Sequence, residues 1–394
     1  MATYNFTVTQ VAVPFVAEYQ KNLPLIVNSN KQLDKEFKSG TGSTMTVTIP
    51  DYPTVQTGAT AVPDNYASGD RQITLIHNNV STDSNAVVRA LDIKNFDEQI
   101  AKPYGARLAS HIQERAADEL KLNADTHVII NDSSEFKNLG TAIATIKKAR
   151  SYGKLVGVLD NELNQTIASA GITFFNPSAQ ISDMFKESRI GMYGGAEFFE
   201  SPDVTSLVTG DLVDTGADAV VDGTLSDGAT SITFDGTNLT GTIKKGQVFT
   251  VAGCKVVDIY GNALSQDYSF VAQADATAVA NSITVTIKPV TTVKPSQNVS
   301  ALPVDGAAVT LVHEANSTYQ AGVIYDTQGF IHGNAKFAPI SNMEQKEMKV
   351  AKALSITTSK GADPINFKEI VRWDNLSAEL LVRTNWAAVV WYKV

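Results

Sequence analysis

The sequence predicts an α+β chain with an all-β segment set into its second half. Three observations predict it. Arg is absent between Arg189 and Arg372, Glu is absent between Glu200 and Glu314, and no Trp occurs in 201–313. Arg and Glu favour helices, whereas the Thr and Val common in this stretch favour strands. Turn pairs such as Asp235-Gly236 and Gly261-Asn262 punctuate short alternating runs within it. Outside it, apolar residues recur at helical spacing. With 394 residues, 43% apolar and 19% charged, the chain can bury a large core and lacks the composition of a disordered protein.

The formal net charge of −9 argues against a free nucleic-acid binder, whose usual footprint is basic. The single cysteine, Cys254, cannot form an intrachain disulfide, which favours a reducing compartment. No basic start leads into an apolar run, so no signal peptide is expected. No apolar run approaches the roughly 20 residues of a membrane span. The protein is therefore expected to be made and kept in a cytoplasm.

Residues 1–38 read as a polar arm with scattered apolar anchors such as Phe15, Leu25 and Phe37. Pro14 and Pro24 limit any helix there, and such an arm gains burial by docking on a partner. Residues 40–93 read as a long two-stranded excursion. Thr44–Ile49 alternates, Pro50 to Gly69 fill a turn-rich tip, and Gln72–Ile76, Asn79–Ser81 and Ala86–Ile93 return. An isolated hairpin is marginal in water, so a covering subunit is expected.

Residues 95–122 are expected to be a long helix, capped by Asn95, with Phe96, Ile100, Tyr104, Leu108, Ile112 and Ala116 in one stripe. Pro103 either kinks this helix or marks its first turn. A second helix over 134–151 places Phe136, Leu139, Ile143 and Ile146 on one face, with Lys147, Lys148 and Arg150 at the end that favours cations, and Gly153 closing it. Lys154–Leu159 reads as a buried strand, Asp160 as the cap of a third helix, and Pro177–Arg189 as a further helix. Gly194-Gly195 turns into a strand at Ala196–Phe199.

Within the all-β segment the expected strands are Ala229–Phe234, Gln247–Val251 closed by Ala252-Gly253, Lys255–Tyr260, Tyr268–Ala272, Ser282–Ile287 and Thr310–His313. Their spacing indicates a small barrel or sandwich, with Cys254 as a core residue. Tyr319–Tyr325 and Ala335–Pro339 resume the surrounding fold. Phe367–Trp373, Glu379–Arg383 and Ala387–Lys393 follow, with Trp373, Trp386 and Trp391 as core anchors.

No catalytic, metal-binding or cofactor-binding constellation is legible. No two of His77, His111, His127, His313 and His332 stand at a metal-ligand spacing, and one cysteine excludes zinc-finger patterns. The Gly-rich stretch from Gly191 to Gly195 leads into a strand rather than a helix, so it is no dinucleotide fingerprint. Ser151 and Lys154 match an SxxK spacing without its partner motifs, a match expected by chance. An enzyme is not expected, and a hydrolase with an inserted β domain would need a constellation that is missing.

The order of elements, together with Phe185–Val204 (FKESRIGMYGGAEFFESPDV), resembles the major capsid (coat) proteins of tailed double-stranded DNA bacteriophages. The matching features are a helix ending at Arg189-Ile190-Gly191, the Gly194-Gly195 turn, and a strand through Phe198 and Phe199 that ends near Ser201-Pro202. Gly246–Gly253 (GQVFTVAG) resembles part of the inserted β-barrel domain of short-tailed enterobacterial phage coat proteins. The resemblance implies an N-terminal arm (1–38), an extended loop (39–94), a spine helix region (95–133), a peripheral domain (134–152 and 341–394), an axial domain (153–222 and 314–340) and an inserted β domain (223–313).

It further implies self-association into an icosahedral shell enclosing packaged double-stranded DNA without sequence-specific binding. A scaffolding protein and a portal would be partners, and assembly would take place in the host bacterial cytoplasm without a membrane. Some relatives cross-link covalently through a lysine on the extended loop. Here no Lys lies between Lys38 and Lys94, so non-covalent closure is expected. Asp51, Asp64, Asp70 and Arg71 on the loop, and Lys244, Lys245, Asp258 and Asp267 in or near turns of the β segment, are candidate subunit-interface residues. Lys121, Lys147 and Lys148 are candidates for an inner face. The alternative reading is another structural phage protein, a tail-tube or decoration subunit, against which the long helix and the α/β centre argue.

Overall fold

Strands dominate, as the Val and Thr content requires. The computed structural model describes residues 8–21, 23–31, 43–53, 55, 57–58, 68–85, 100–131, 134–174, 190–216, 218–338, 343–350, 354–363 and 368–394. Two compact units divide the chain. One comprises Met1–Thr46, Gln72–Ala116 and Ile331–Leu380; the other comprises Val47–Arg71, Ala117–Phe330 and Leu381–Val394.

The first unit is built on a five-stranded sheet. The strands Phe330–Ala335, Lys368–Leu381, Leu354–Asp363 and Glu344–Val350 follow in that order, and Ile76–Asn85 also pairs Lys368–Leu381. Val371 faces Lys360 across one side and Thr82 across the other. Phe367–Trp373 and Glu379–Arg383, expected as two strands, are corrected to one strand of 14 residues. Asn375 and Ser377 in its middle look like a break in sequence, yet both are buried, and the Asn375 side chain donates to the Ser355 carbonyl at 3.2 Å.

The arm requires a second correction. Val8–Lys21 is a helix with Pro14 inside it. A proline costs a helix one hydrogen bond and crowds the preceding turn. Here Ala12, Phe15, Val16 and Tyr19, spaced i, i+3, i+4 and i+7, form a buried stripe that offsets the loss. The Phe15 ring stacks on Trp373 at 4.8 Å. The Phe15 carbonyl lies so close to Gly105 of the long helix that a Cβ there would sit 2.6 Å from its oxygen. This part of the arm packs within its own chain rather than waiting for a partner. Pro24 opens a short helix, Pro24–Val27, at the position where its missing N–H costs nothing.

Thr44–Pro50 and Ser68–Thr74 form the two-stranded hairpin, with Val47, Ile49 and Ile73 on its buried face. The returning strand is not continuous. It breaks at Leu75, and Ile76–Asn85 joins the five-stranded sheet instead. The tip around Asp64, the Ala86–Ile93 return, the Asn95 cap and the helix expected over Pro177–Arg189 lie outside the described residues. The long helix runs Lys102–Asn123, so Pro103 belongs to its first turn rather than to a kink. Leu108, Ile112 and Ala116 of the expected stripe are buried.

The second unit centres on a seven-stranded mixed sheet. Its order is Thr126–Ile130, Ala387–Lys393, Thr318–Asp326, Leu155–Leu159, Ala196–Glu200 and Met192–Tyr193, with Leu207–Val208 beside Thr318–Asp326. Strand Thr126–Ile130 had no counterpart in the sequence reading. Helices Glu135–Lys148 and Asn161–Phe174 pack Leu139, Ile143, Ile146, Leu163 and Ile167 into one core with Phe198, Ile324 and Val390. Helix Glu135–Lys148 ends earlier than expected, with Arg150 rather than Gly153 in the left-handed region at φ 62°. Gly157 permits a close approach: a Cβ there would meet the Phe198 ring at 2.4 Å.

Between 207 and 311 the described secondary structure is all strand. Val220–Val221, Ala229–Asp235 and Ser282–Val290 form one three-stranded sheet, and Ala263–Val271, Val248–Val257 and Val309–Leu311 another. They share a core that includes Phe234, Phe249, Phe270, Ile283 and Cys254. Ala252-Gly253, expected as a turn, is corrected to a bulge inside one strand, Val248–Val257. The pairing jumps from Thr250↔Ser269 to Lys255↔Asp267, and Gly253 takes φ 85°. All three tryptophans are buried, but Trp373 belongs to the first unit and Trp386 and Trp391 to the second.

Candidate functional site

The groups a catalytic site would need are scattered. Among the described residues no group of three or more His, Cys, Asp or Glu side chains could hold a metal ion. Burial pushes the Cys254 thiol up to about 11, away from nucleophilic use. Lys154 pairs with Glu197, and Ser151 has no part in that pair. Among the described residues no helix is long and apolar enough to cross a membrane.

Of the eight residues singled out in sequence, seven are described, and they do not gather in one place. Lys244 Nζ donates to Asp275 Oδ2 at 2.8 Å, and the Lys245 amide donates to Asp275 Oδ1 at 2.8 Å. Asp267 accepts from Lys255 Nζ at 2.6 Å across the bulged strand pair. Arg71 and Asp258 line one small cavity together with Lys294 and Arg383. Asp51 accepts from the Tyr52 amide at 2.8 Å, Asp70 is exposed, and Asp64 lies outside the described residues. Lys121 is not on an open inner face: its ammonium donates to the Thr205 carbonyl and hydroxyl at 3.1 and 2.8 Å.

What gathers around Asp258 is a patch of tyrosines and arginines where the hairpin strands end. Tyr52 follows directly on strand Thr44–Pro50, Tyr152 stands beside Gly153, and Tyr260 beside Gly261. The Tyr52 and Tyr260 rings meet edge to face at 5.8 Å. Tyr152 meets Trp386 edge to face at 4.8 Å, and its hydroxyl lies 3.4 Å from that of Tyr52. The Arg150 guanidinium lies 4.8 Å over Tyr260 and donates to Asp258 Oδ2 at 3.1 Å. The Arg383 guanidinium lies 5.5 Å from Tyr52 and 5.8 Å from Trp386, and donates to the Pro50 carbonyl at 2.9 Å.

Local chemistry holds this arrangement. Burial alone would raise the Asp258 carboxyl. The Asn262 side chain and amide, Arg150 and the Tyr260 amide outweigh it and keep the group below its ordinary value. The carboxylate thereby shapes the 258–262 turn and pins Arg150. The hydrogen bond to Tyr52, then burial, pushes the Tyr152 phenol up to about 12. Tyr152 is nevertheless 69% exposed and Tyr260 41%. Rigid aromatic rings with arginines over them, left half in water, have the composition of an interface hot spot rather than of a core. The sequence reading missed these residues. Their available signal was a tyrosine beside a turn-forming residue, as in Asp51-Tyr52-Pro53, Tyr152-Gly153 and Tyr260-Gly261.

No family model matches the chain, and no curated protein matches it. Similar solved structures include the mature capsid of bacteriophage PhiM1, at 11% identity and TM-score 0.48, covering 94% of this chain and 87% of that one. The capsid of Ralstonia phage GP4 is similar at 6% identity and TM-score 0.47, covering 95% and 89%. A virus-like particle from Pyrococcus furiosus is similar at 6% identity and TM-score 0.44, covering 97% and 98%. At such identities and TM-scores these likenesses assign neither family nor function.

Proposed function

We propose that the chain is a coat subunit that self-assembles, without covalent cross-links, into the icosahedral shell of a tailed bacteriophage and encloses double-stranded DNA. The observation that carries this reading is the tyrosine–arginine patch at the end of a hairpin with a thin apolar face of its own. Such a surface suits contact with another copy, and hot spots of this composition cost about 2 kcal/mol or more each when truncated. Many copies with several modest contacts apiece close a shell cooperatively. The acidic net charge suits a container that does not bind its nucleic-acid cargo tightly.

In this reading 223–313 is an inserted β domain, 134–152 and 341–394 a peripheral domain, and 153–222 and 314–340 an axial domain. A scaffolding protein and a portal complete the assembly, which takes place in the bacterial cytoplasm. Asp51, Asp70, Arg71 and Asp258 lie in or next to the patch and belong to the proposed contact. Lys244, Lys245 and Asp267 are secondary candidates, because Lys244 and Asp267 side chains already hold intrachain partners.

A double variant, Tyr152→Ala with Tyr260→Ala, tests the patch by sedimentation. Wild type is expected to run as large particles and the variant as small species, while both keep the same circular dichroism spectrum. A variant that sediments like wild type would contradict the role given to the patch. Wild type that never leaves the monomer position, with or without candidate scaffold, would contradict the shell reading itself.

A further inference from the structure

Two of the five histidines are sealed where the all-β segment meets the seven-stranded sheet. His127 lies on strand Thr126–Ile130 and is 5% exposed; His313 follows strand Val309–Leu311 and is 2% exposed. Trp391 of strand Ala387–Lys393 sits between them. Its ring centroid is 6.1 Å from the His127 ring and 5.0 Å from the His313 ring.

Their hydrogen bonds fix the tautomers. Trp391 Nε1–H donates to His127 Nδ1 at 3.0 Å, and the Val248 amide donates to His313 Nδ1 at 3.2 Å. Each Nδ1 therefore acts as an acceptor, and each neutral ring carries its proton on Nε2. Neither Nε2 finds a partner in the structure. A second proton could bind only at Nδ1, where it would turn an accepting nitrogen into a donor facing another donor. Both hydrogen bonds would be lost, and a charge would be left at a buried position.

The same junction is stitched by pairs that cross it. Lys288 donates to Asp125 Oδ1 at 2.5 Å and to the Asn123 carbonyl at 2.7 Å. The Ser269 hydroxyl accepts from the His127 amide at 3.1 Å, and the Ser269 amide donates to the Asp125 carbonyl at 3.0 Å. We propose that His127 and His313 form an acid-sensitive latch: proton uptake at this pair releases the all-β segment from the sheet that carries it. The latch is independent of the shell reading.

The surrounding charges favour this response. Lys288 acts on His127 as a like charge and disfavours a second cation there. Its partner Asp125 is already taken by Lys288 and by the Thr384 hydroxyl at 2.7 Å. Tyr268, behind Lys288, is a buried neutral phenol, and Tyr319 lies 4.6 Å from His313, ring to ring. Glu314 is paired with Lys393, and Asp118 with Lys121 at 2.8 Å. Lys245 and Lys121 line, with Trp391, a cavity of about 190 Å³. Glu119 and Arg71 act on Lys288 from farther off, with opposite signs.

Burial holds both rings below their ordinary proton affinity, His313 down to about 3 and His127 with added repulsion from His313 and Lys288. A group depressed in the folded state stabilises it above the unfolded value, near pH 6.5, and that contribution is lost as pH falls toward the folded value. The opening constant should therefore rise about tenfold per pH unit per histidine below about pH 6.5. Down to pH 5 most carboxylates do not yet titrate, so the effect can be read separately from general acid unfolding.

The test is amide hydrogen exchange of the full chain between pH 7.5 and 5.0, corrected for the intrinsic pH dependence. Segments 122–130 and 263–273 report the junction, and 368–380 serves as a control in the other compact unit. The comparison is a double variant, His127→Asn with His313→Asn, whose side-chain oxygens stand in for Nδ1 as acceptors and cannot charge. Wild type should lose protection at the junction by about tenfold to hundredfold per pH unit as pH falls from 6.5 to 5.0, and the double variant should not. If the double variant does not fold, each single variant should halve the logarithmic slope of wild type. A pH-independent junction in wild type, or a variant that keeps the wild-type slope, would overturn the latch.

Discussion

Replacing Lys288 with Met is expected to destabilise the chain by about 3–5 kcal/mol, because it strands a buried carboxylate. Lys288 and Asp125 are both buried, and their 2.5 Å contact joins strand Ser282–Val290 to the end of the long helix. Burial alone pulls the lysine below its ordinary value, and Asp125 pulls it back. The pair is therefore a balance of a large desolvation cost against a large attraction, and removing one partner leaves the cost. Asp125 would lose its charged partner while keeping the Thr384 hydroxyl, and the Asn123 and Ala124 carbonyls would lose the lysine's hydrogen bonds. Adding Asp125→Asn to Lys288→Met should recover a substantial part of the loss, since a neutral amide is far cheaper to bury than an unpaired charge. Urea denaturation of the unassembled chain checks both variants. A single variant within about 1 kcal/mol of wild type would show that the junction does not depend on this pair.

Replacing Trp373 with Ala is expected to cost about 3–5 kcal/mol in the other compact unit, from lost burial and the cavity left behind. Trp373 is fully buried, stacks on Phe15 at 4.8 Å and faces Tyr104 at 5.8 Å. Its strand is paired on both sides, with Thr358 and Val80 as its register partners, so the backbone has little freedom to collapse into the gap. The same change removes the surface on which the Pro14-containing helix rests. Loss of protection in hydrogen exchange should therefore reach 12–19 as well as 368–381. Trp373→Phe keeps the stacking partner and should lose less than half as much. Protection in 12–19 that is unchanged in Trp373→Ala would mean that the helix is held by something other than this stack.

These two sites mark where the sequence was and was not legible. Local periodicity was enough for helix Glu135–Lys148, because Phe136, Leu139, Ile143 and Ile146 all face one core. It was enough for Leu155–Leu159, a short apolar run between turn residues, and for Ala229–Asp235, which alternates. It failed where tertiary contacts overrode a local rule. Pro14 sits inside a helix because four buried side chains outweigh one lost hydrogen bond. Asn375 and Ser377 sit inside a strand that is paired on both sides and buries them, with the Asn375 side-chain amide donating to the Ser355 carbonyl. The candidate site was the least legible part. Tyr52, Arg150, Tyr152, Tyr260 and Arg383 come from four separate regions of the chain, and no spacing rule links them. Among the residues picked from charge alone, Arg71 and Asp258 reached one place, while Lys244 was taken up by Asp275 and Asp267 by Lys255 on the neighbouring strand.

A coat subunit of the proposed kind builds a closed shell. Negative-stain electron microscopy of the purified full chain, expressed with and without its candidate scaffold, tests it most directly. Closed, roughly spherical shells of uniform diameter are expected, with subunits that run as a single uncross-linked band on a denaturing gel. Open tubes, stacked rings or monomers under both conditions would contradict it.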